Sequence, residues 1–282
     1  MHSFKGNRPY YAVIGDPIAH SMSPEIHNAC LEHHHMDAVY EAIRVRSDEL
    51  PNMIEELRET GCKGFNVTIP HKVKIMEHLD EIDPLANEIG AVNTVVIENG
   101  RLKGYNTDGL GFFKGLRAFY KRDLKATSIL ILGAGGASRA IVKTLIKQGV
   151  RNVTIANRTV EKAHGLLNGS RYGQAITISA AEHNLESFDI IINTTPIGMY
   201  PNTDEIPLSI RTIDSGTALI DIIYNPLMTE FLKQGRRIGC TVQNGVPMFV
   251  HQAALAFELW TGQEPDSKIM EDIVIKKLGG KK

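Results

Sequence analysis

The sequence predicts an α/β protein of two domains, and three observations carry that expectation. An apolar run over residues 128–132 stops at a glycine cluster and passes directly into a helical pattern. Short apolar runs alternate with amphipathic segments along nearly the whole chain, as in a mainly parallel sheet covered by helices. The 282 residues, 43% of them hydrophobic, suffice for two cores. A formal net charge of −1 argues against a nucleic-acid surface and favours a small-molecule partner. Cys30, Cys62 and Cys240 are odd in number and widely spaced, which suggests reduced thiols. Neither a leader-like apolar stretch after Met1 nor any membrane-length segment is evident, so a soluble cytoplasmic protein is expected.

Taken in order, residues 10–15 read as a first strand, leading to Ser21-Met22-Ser23-Pro24. Ser23 before Pro24 marks a helix start, with the hydroxyl as N-cap. Two serines beside a helix N-terminus also make a donor site for a carboxylate, and both readings of Ser23 stay open. His33-His34-His35, with His27 one helical stretch earlier, lacks ligand spacing, so no metal is expected. Residues 38–44 suit a strand, 48–60 a helix capped by Ser47, and 64–69 a third strand halted at Pro70. Asn66, Thr68 and Lys72 fall at its carboxyl end, where open α/β sheets bind ligands, although Lys72 also suits a solvated helix start. Runs 91–97 and 101–105 flank Asn99-Gly100, the preferred chemistry of a tight hairpin turn. Asp108 then sits at a strand-to-helix junction, as a cap or as a catalytic group, and a domain boundary is expected near it, before a helix over 110–120.

The glycine turn has residue-specific physics. Gly133 permits the tight turn, Gly135 lets the backbone approach a pyrophosphate, and Ser138 is small enough for close helix–strand packing. A helix over 137–148 and a strand over 152–156 complete the unit. At that strand's end, where an NAD-binding protein usually places a carboxylate, stands Asn157-Arg158-Thr159. Arg158 would attract a 2′-phosphate, so the pocket reads as NADP-selective, the bland alternative being an arginine on a solvated turn. Further strands are expected at 189–193 and 218–224, helices through 167 and over 228–234, 248–260 and 267–278, and a frayed tail over 279–282.

Together, His20 to Pro24, Asn66 to Lys72, Gly90 to Thr94, Gly104 to Gly109, Gly133 to Ser138, Asn157 to Thr159, Asn193 to Met199, Tyr224 to Pro226 and Asn244 to Gln252 resemble the shikimate dehydrogenase family nearly end to end. The resemblance implies an N-terminal substrate domain of residues 1–108 and 246–282, with the C-terminal helices returning to it, and a Rossmann-type NADP-binding domain of 109–245. It implies NADP-dependent interconversion of 3-dehydroshikimate and shikimate, on the route to chorismate and aromatic amino acids, by a monomer or homodimer. Ser21 and Ser23 would hold the substrate carboxylate. Thr68, Asn93, Asp108 and Gln252 would bind ring hydroxyls, with Asn66 and Tyr224 nearby. Lys72 would be the general acid/base and Asp108 its paired carboxylate. Gly133, Ala134, Gly135, Gly136 and Ala137 would line the pyrophosphate. Asn157, Arg158, Thr159 and Lys162 would surround the 2′-phosphate, and Ile222 and Gly245 would border the nicotinamide. Lysine, protonated at neutral pH, suits ketone reduction as the acid. Val246-Pro247 departs from the family's commonest wording and leaves the cofactor-loop geometry open. A related quinate/shikimate branch that can use NAD tends to carry an acidic residue near the ribose, and Asn157-Arg158-Thr159 argues against it.

Overall fold

The computed structural model describes residues 8–167 and 169–279. The chain divides into two compact units, one running to Thr107 and taking in Val250–Val274, the other formed by Asp108–Phe249 with the residues from Ile275 on.

The first unit contains, in chain order, β1 (Tyr10–Gly15), α1 (Ser23–His33), β2 (Val39–Arg44), α2 (Leu50–Glu59), β3 (Cys62–Val67), β4 (Glu81–Ile82), α3 (Pro84–Ile89), β5 (Thr94–Glu98) and β6 (Arg101–Tyr105). Its sheet runs β2-β1-β3-β5-β6-β4. The β1–β2, β1–β3 and β4–β6 pairs are parallel, whereas β3–β5 and β5–β6 are antiparallel because the Asn99-Gly100 turn folds β6 straight back. β1 is buried along its whole length, as an interior strand covered on both faces should be. On α2 the buried residues are Leu50, Ile54 and Leu57, one helical stripe that closes over Tyr10, Ile14 and Phe65.

Several boundaries differ from expectation. α1 begins after Met22, whose side chain cannot cap, and the Ser21 hydroxyl instead accepts from the Ser23 N–H at 3.3 Å; Ser23 is therefore the first helical residue and not the N-cap. α2 begins after Glu49 rather than Ser47, with the Glu49 carboxylate accepting from the Arg46 N–H at 2.9 Å. β3 stops at Val67 because the Thr68 carbonyl turns to accept from the His71 N–H. α3 has no counterpart in the sequence reading. Asp83 caps it by accepting from the Leu85 and Ala86 N–H groups, and Gly90 ends it in the left-handed region.

The second unit continues with α4 (Asp108–Phe119), β7 (Ser128–Leu132), α5 (Gly136–Lys147), β8 (Asn152–Ala156), α6 (Val160–Leu167), β9 (Gly173–Ile176), α7 (Ile178–Glu182), β10 (Ile190–Asn193), β11 (Ala218–Asp221), α8 (Glu230–Ile238) and β12 (Thr241–Gln243). The sheet is parallel throughout, in the order β12-β11-β10-β7-β8-β9. This is the doubly wound order of a Rossmann fold, with its switch point between β7 and β10, where such sheets open a ligand crevice at their carboxyl ends. β7 serves both faces: Ile129 and Ile131 enter one core, Leu130 and Leu132 the other. β11 ends at Asp221, short of Tyr224, because the Asp221 carboxylate accepts from the Ile223 N–H at 3.0 Å and bends the chain. α8 starts later than expected, after Thr229, whose hydroxyl caps Leu232 N–H.

α9 (Val246–Thr261) and α10 (Ser267–Gly279) complete the chain. Pro247 lies in the first turn of α9, where a missing N–H breaks no helical hydrogen bond. From Val250 on, α9 belongs to the first unit, and there Trp260 Nε1 donates to the Val95 carbonyl at 2.9 Å while its ring stacks on Tyr11. Gly279 is helical rather than part of a frayed tail, and the rest of that tail, 280–282, lies outside the described residues. No helix among the described residues is long and apolar enough to cross a membrane.

Candidate active site

In the first unit, polar side chains gather at the carboxyl ends of the parallel strands. The antiparallel register sets Asn66 opposite Thr94. Asn66 accepts from the buried Tyr40 hydroxyl at 2.7 Å and donates to the Asn93 carbonyl and the Thr94 hydroxyl, both at 3.1 Å. Asn93 Oδ1 accepts from the Thr107 N–H at 2.8 Å and from the Thr94 hydroxyl at 3.0 Å, and its Nδ2 donates to the Thr107 hydroxyl at 2.9 Å. Both amides are buried and fully oriented by protein, so they present fixed faces to a ligand. Tyr40 is itself fixed: Asn28 pairs with its backbone N–H and carbonyl, and His27 stacks on its ring at 4.4 Å.

Lys72 lies in the turn after β3. His71 is buried, and its Nε2 must donate to the Val45 carbonyl at 2.7 Å, because a carbonyl only accepts. The Lys72 carbonyl accepts from the Val92 N–H at 2.8 Å, which anchors the turn one residue from Asn93. Lys72 is half-buried, and Thr68 is half-buried just past β3, its N–H donating to the Ile14 carbonyl. Ser21 and Gln252 are also half-buried, Gln252 on the part of α9 that belongs to this unit. Asp108 and Tyr224 belong to the second unit: Asp108 opens α4, and the Tyr224 ring stacks on Phe249 at 4.9 Å.

In the second unit, Gly133 occupies φ +103°, a conformation that L side chains rarely adopt, and its N–H donates to the Ala156 carbonyl. A Cβ there would also press on Thr195 Cγ2 at 2.9 Å. Buried Ser138 donates to the Gly133 carbonyl at 2.7 Å, tying α5 to the turn. Side chains at Gly135 and Gly136 would stand in open space, so the backbone at the start of α5 is accessible to a phosphate. Ala134 and Ala137 flank it half-buried. At the end of β8, Asn157 Nδ2 donates to the Thr159 carbonyl at 2.8 Å, shaping a turn from which Arg158, Thr159 and Lys162 are exposed. This donor set fits a phosphorylated dinucleotide: open N–H groups at a helix start, and two exposed cations one strand away. Gly245 N–H donates to the Ile223 carbonyl at 2.9 Å, and a Cβ at Gly245 would run into the Ile222 carbonyl. Among the described residues no group of three or more His, Cys, Asp or Glu could hold a metal.

Sequence reasoning missed one cluster. Asp221, fully buried, accepts from Asn193 Nδ2 at 3.1 Å, from Ile223 N–H at 3.0 Å and from the Thr229 hydroxyl at 2.8 Å. Burial pushes its carboxyl up to about 6, against the lowering effect of these donors. Only its acidity within an apolar run could have flagged it.

Comparison with known proteins bears on the whole chain. The profile described as the shikimate dehydrogenase substrate binding domain matches residues 13–95, that of shikimate/quinate 5-dehydrogenase 117–222, and that of the shikimate 5′-dehydrogenase C-terminal domain 245–275. The shikimate dehydrogenase (NADP(+)) of Bacillus cereus strain AH187 is 50% identical over 273 residues, 96% of this chain and 99% of that one. The chain belongs to the shikimate dehydrogenase family. Among solved structures, a shikimate 5-dehydrogenase of Thermus thermophilus in complex with NADP(H) and shikimate matches with a TM-score of 0.86 and 37% identity over 95% of this chain and 98% of that one. The quinate dehydrogenase of Corynebacterium glutamicum in complex with NAD matches with a TM-score of 0.89 but 30% identity, over 95% and 99%. Membership in the shikimate dehydrogenase family makes the chain an oxidoreductase. TM-scores of 0.86 and 0.89 do not separate shikimate from quinate relatives, so side chains must.

Proposed function

We propose that this chain catalyses the reversible NADP-dependent interconversion of 3-dehydroshikimate and shikimate, a step toward chorismate and the aromatic amino acids, acting in the cytoplasm as a monomer or homodimer. The observation that carries this reading is the buried Tyr40–Asn66–Thr94–Asn93–Thr107 network, beside the turn in which Val92 anchors Lys72. Amides oriented this rigidly suit the fixed hydroxyl pattern of a ring acid. Residues 1–108 and 246–282 act as the substrate domain and 109–245 as the cofactor domain.

Ser21 and Ser23 hold the substrate carboxylate. Thr68, Asn93, Asp108 and Gln252 read the ring hydroxyls, with Asn66 and Tyr224 beside them. NADPH, when bound, supplies the hydride for ketone reduction. Lys72 donates a proton to the ketone oxygen as charge develops there, and in oxidation it accepts the proton of the hydroxyl. Asp108 is the carboxylate partner of that acid/base step. Gly133, Ala134, Gly135, Gly136 and Ala137 line the pyrophosphate, with α5 directing N–H groups toward it. Asn157, Arg158, Thr159 and Lys162 surround the 2′-phosphate, whereas Ile222 and Gly245 border the nicotinamide.

The test is absorbance of reduced cofactor with shikimate or quinate, each with NADP or NAD. Rapid reduction of NADP with shikimate alone is expected. Equal rates with quinate or NAD would move the assignment to the quinate branch, and no turnover with any pair would sink it. Lys72→Ala should lower the rate by about 10²–10⁴ while shikimate still binds.

A further inference from the structure

Asp221 is expensive to bury, and its three donors come from three separate segments. Asn193 ends β10, Ile223 follows β11, and Thr229 opens α8. Each segment passes the constraint on. Asn193 Oδ1 accepts from the Thr195 N–H at 3.0 Å and the Thr195 hydroxyl at 2.7 Å, and that hydroxyl in turn accepts from the Ile197 N–H at 3.2 Å. On the other side, the Ile222 N–H donates to the Asn193 carbonyl at 3.1 Å and the Ile223 carbonyl accepts from Gly245 at 2.9 Å. One carboxylate is therefore the junction between the 193–197 loop and the Ile222–Ile223–Gly245 contact. An apolar residue of the same volume could fill the core at this point, but it could not hold the two loops to one another.

We infer that Asp221 is a positioning residue for the nicotinamide end of the cofactor, acting through Ile222, Gly245 and the 193–197 loop. The inference rests on the proposed placement of the nicotinamide against Ile222 and Gly245. Asp221 touches no reacting atom. Its removal should loosen the nicotinamide end and leave the adenosine end, built on the β7–α5 turn and Arg158, as it was.

The test compares two ligands by titration calorimetry, NADP and adenosine 2′,5′-bisphosphate, which lacks the nicotinamide. Asp221→Ala should weaken NADP about tenfold or more, because buried donors lose their acceptor, and change the bisphosphate by less than about twofold. kcat should fall with the KM for shikimate unchanged. Asp221→Asn, which can still accept from Ile223 and Asn193, should recover most of the NADP affinity. Should Asp221→Ala not fold, Thr229→Val removes one donor to Asp221, together with the cap on the Leu232 N–H, and carries the same comparison. Equal losses for both ligands, or none for NADP, would overturn the inference. Ile222→Ala separates it from its premise: NADP affinity unchanged in Ile222→Ala refutes the nicotinamide placement, while a loss there with none in Asp221→Ala refutes the positioning role alone.

Discussion

Replacing His27 with phenylalanine should make the protein more resistant to acid. His27 is buried, lies flat against Tyr40 at 4.4 Å and 7°, and approaches Trp260 at 5.4 Å and Phe257 at 6.4 Å. Neither ring nitrogen has a hydrogen-bond partner among the described residues, and burial pushes the ring down to about 3 from the ordinary 6.5. The folded-state value is depressed, so the unfolded chain binds the extra proton first and stability falls as pH drops below about 6.5. Linkage gives a loss of about 2 kcal/mol near pH 5 and almost none near pH 7. Phenylalanine keeps the stacking and cannot be protonated. Its slightly larger ring shifts stability by the same amount at both pH values, so the difference between them isolates the proton. In thermal melts, the gain of His27→Phe over wild type should be larger near pH 5 than near pH 7 by about 2 kcal/mol, or about 4–8 °C. A gain that does not change with pH would refute the reasoning, because it would mean that the folded protein protonates His27 as readily as the unfolded chain.

Asp221 gives the opposite sign. Its folded value is raised, so the folded state favours the protonated form, and wild type should lose stability relative to Asp221→Asn as pH rises from about 4 to about 6, by up to about 3 kcal/mol in paired melts. Arg158→Ala should weaken NADP by about 10- to 100-fold and leave NAD nearly unaffected, a ratio read from KM values with the two cofactors. Gly133→Ala, placed at φ +103° and against Thr195, should cost about 1–3 kcal/mol in denaturant unfolding and weaken NADP as well.

What is legible in the sequence is what one local signal decides. The 128–140 stretch combines a run of apolar residues with a switch to helical spacing, and both β7 and α5 follow from it. Short elements escape for the same reason: α3 spans six residues and β9 four, Gly-Gln-Ala-Ile, too few to display a period. β11 reads too long in the sequence because Ile222 and Ile223 continue its apolar run, and only the side chain of Asp221 bends the chain away. Hydroxyls near helix starts suggest Ser23 and Ser47 as caps, yet α1 and α2 begin after Met22 and Glu49, whose own backbone is already near-helical and whose side chains make no cap, so a hydroxyl's place in the sequence does not fix the start. At the candidate site, Asn66 stands out by its place near a strand's end. Its bonds to Asn93 and Thr94 depend on a register between strands that are distant in sequence.

The placement of α9 matters while the chain is being made. β1 and α1 leave the ribosome first, but Tyr11, His27 and the Val95 carbonyl wait for Phe257 and Trp260. Every strand of the second sheet is synthesised before those two residues exist. The first unit therefore gains its last contacts only after every strand of the second sheet has been made, against the usual order in which an N-terminal domain is complete as it emerges. A chain ending after Phe249 and released from the ribosome would carry every strand of the parallel sheet while Tyr11 and His27 lacked Phe257 and Trp260, leaving an open aromatic seam for chaperones and proteases. Extension past Trp260 should close that seam and make the N-terminal segment protease-resistant.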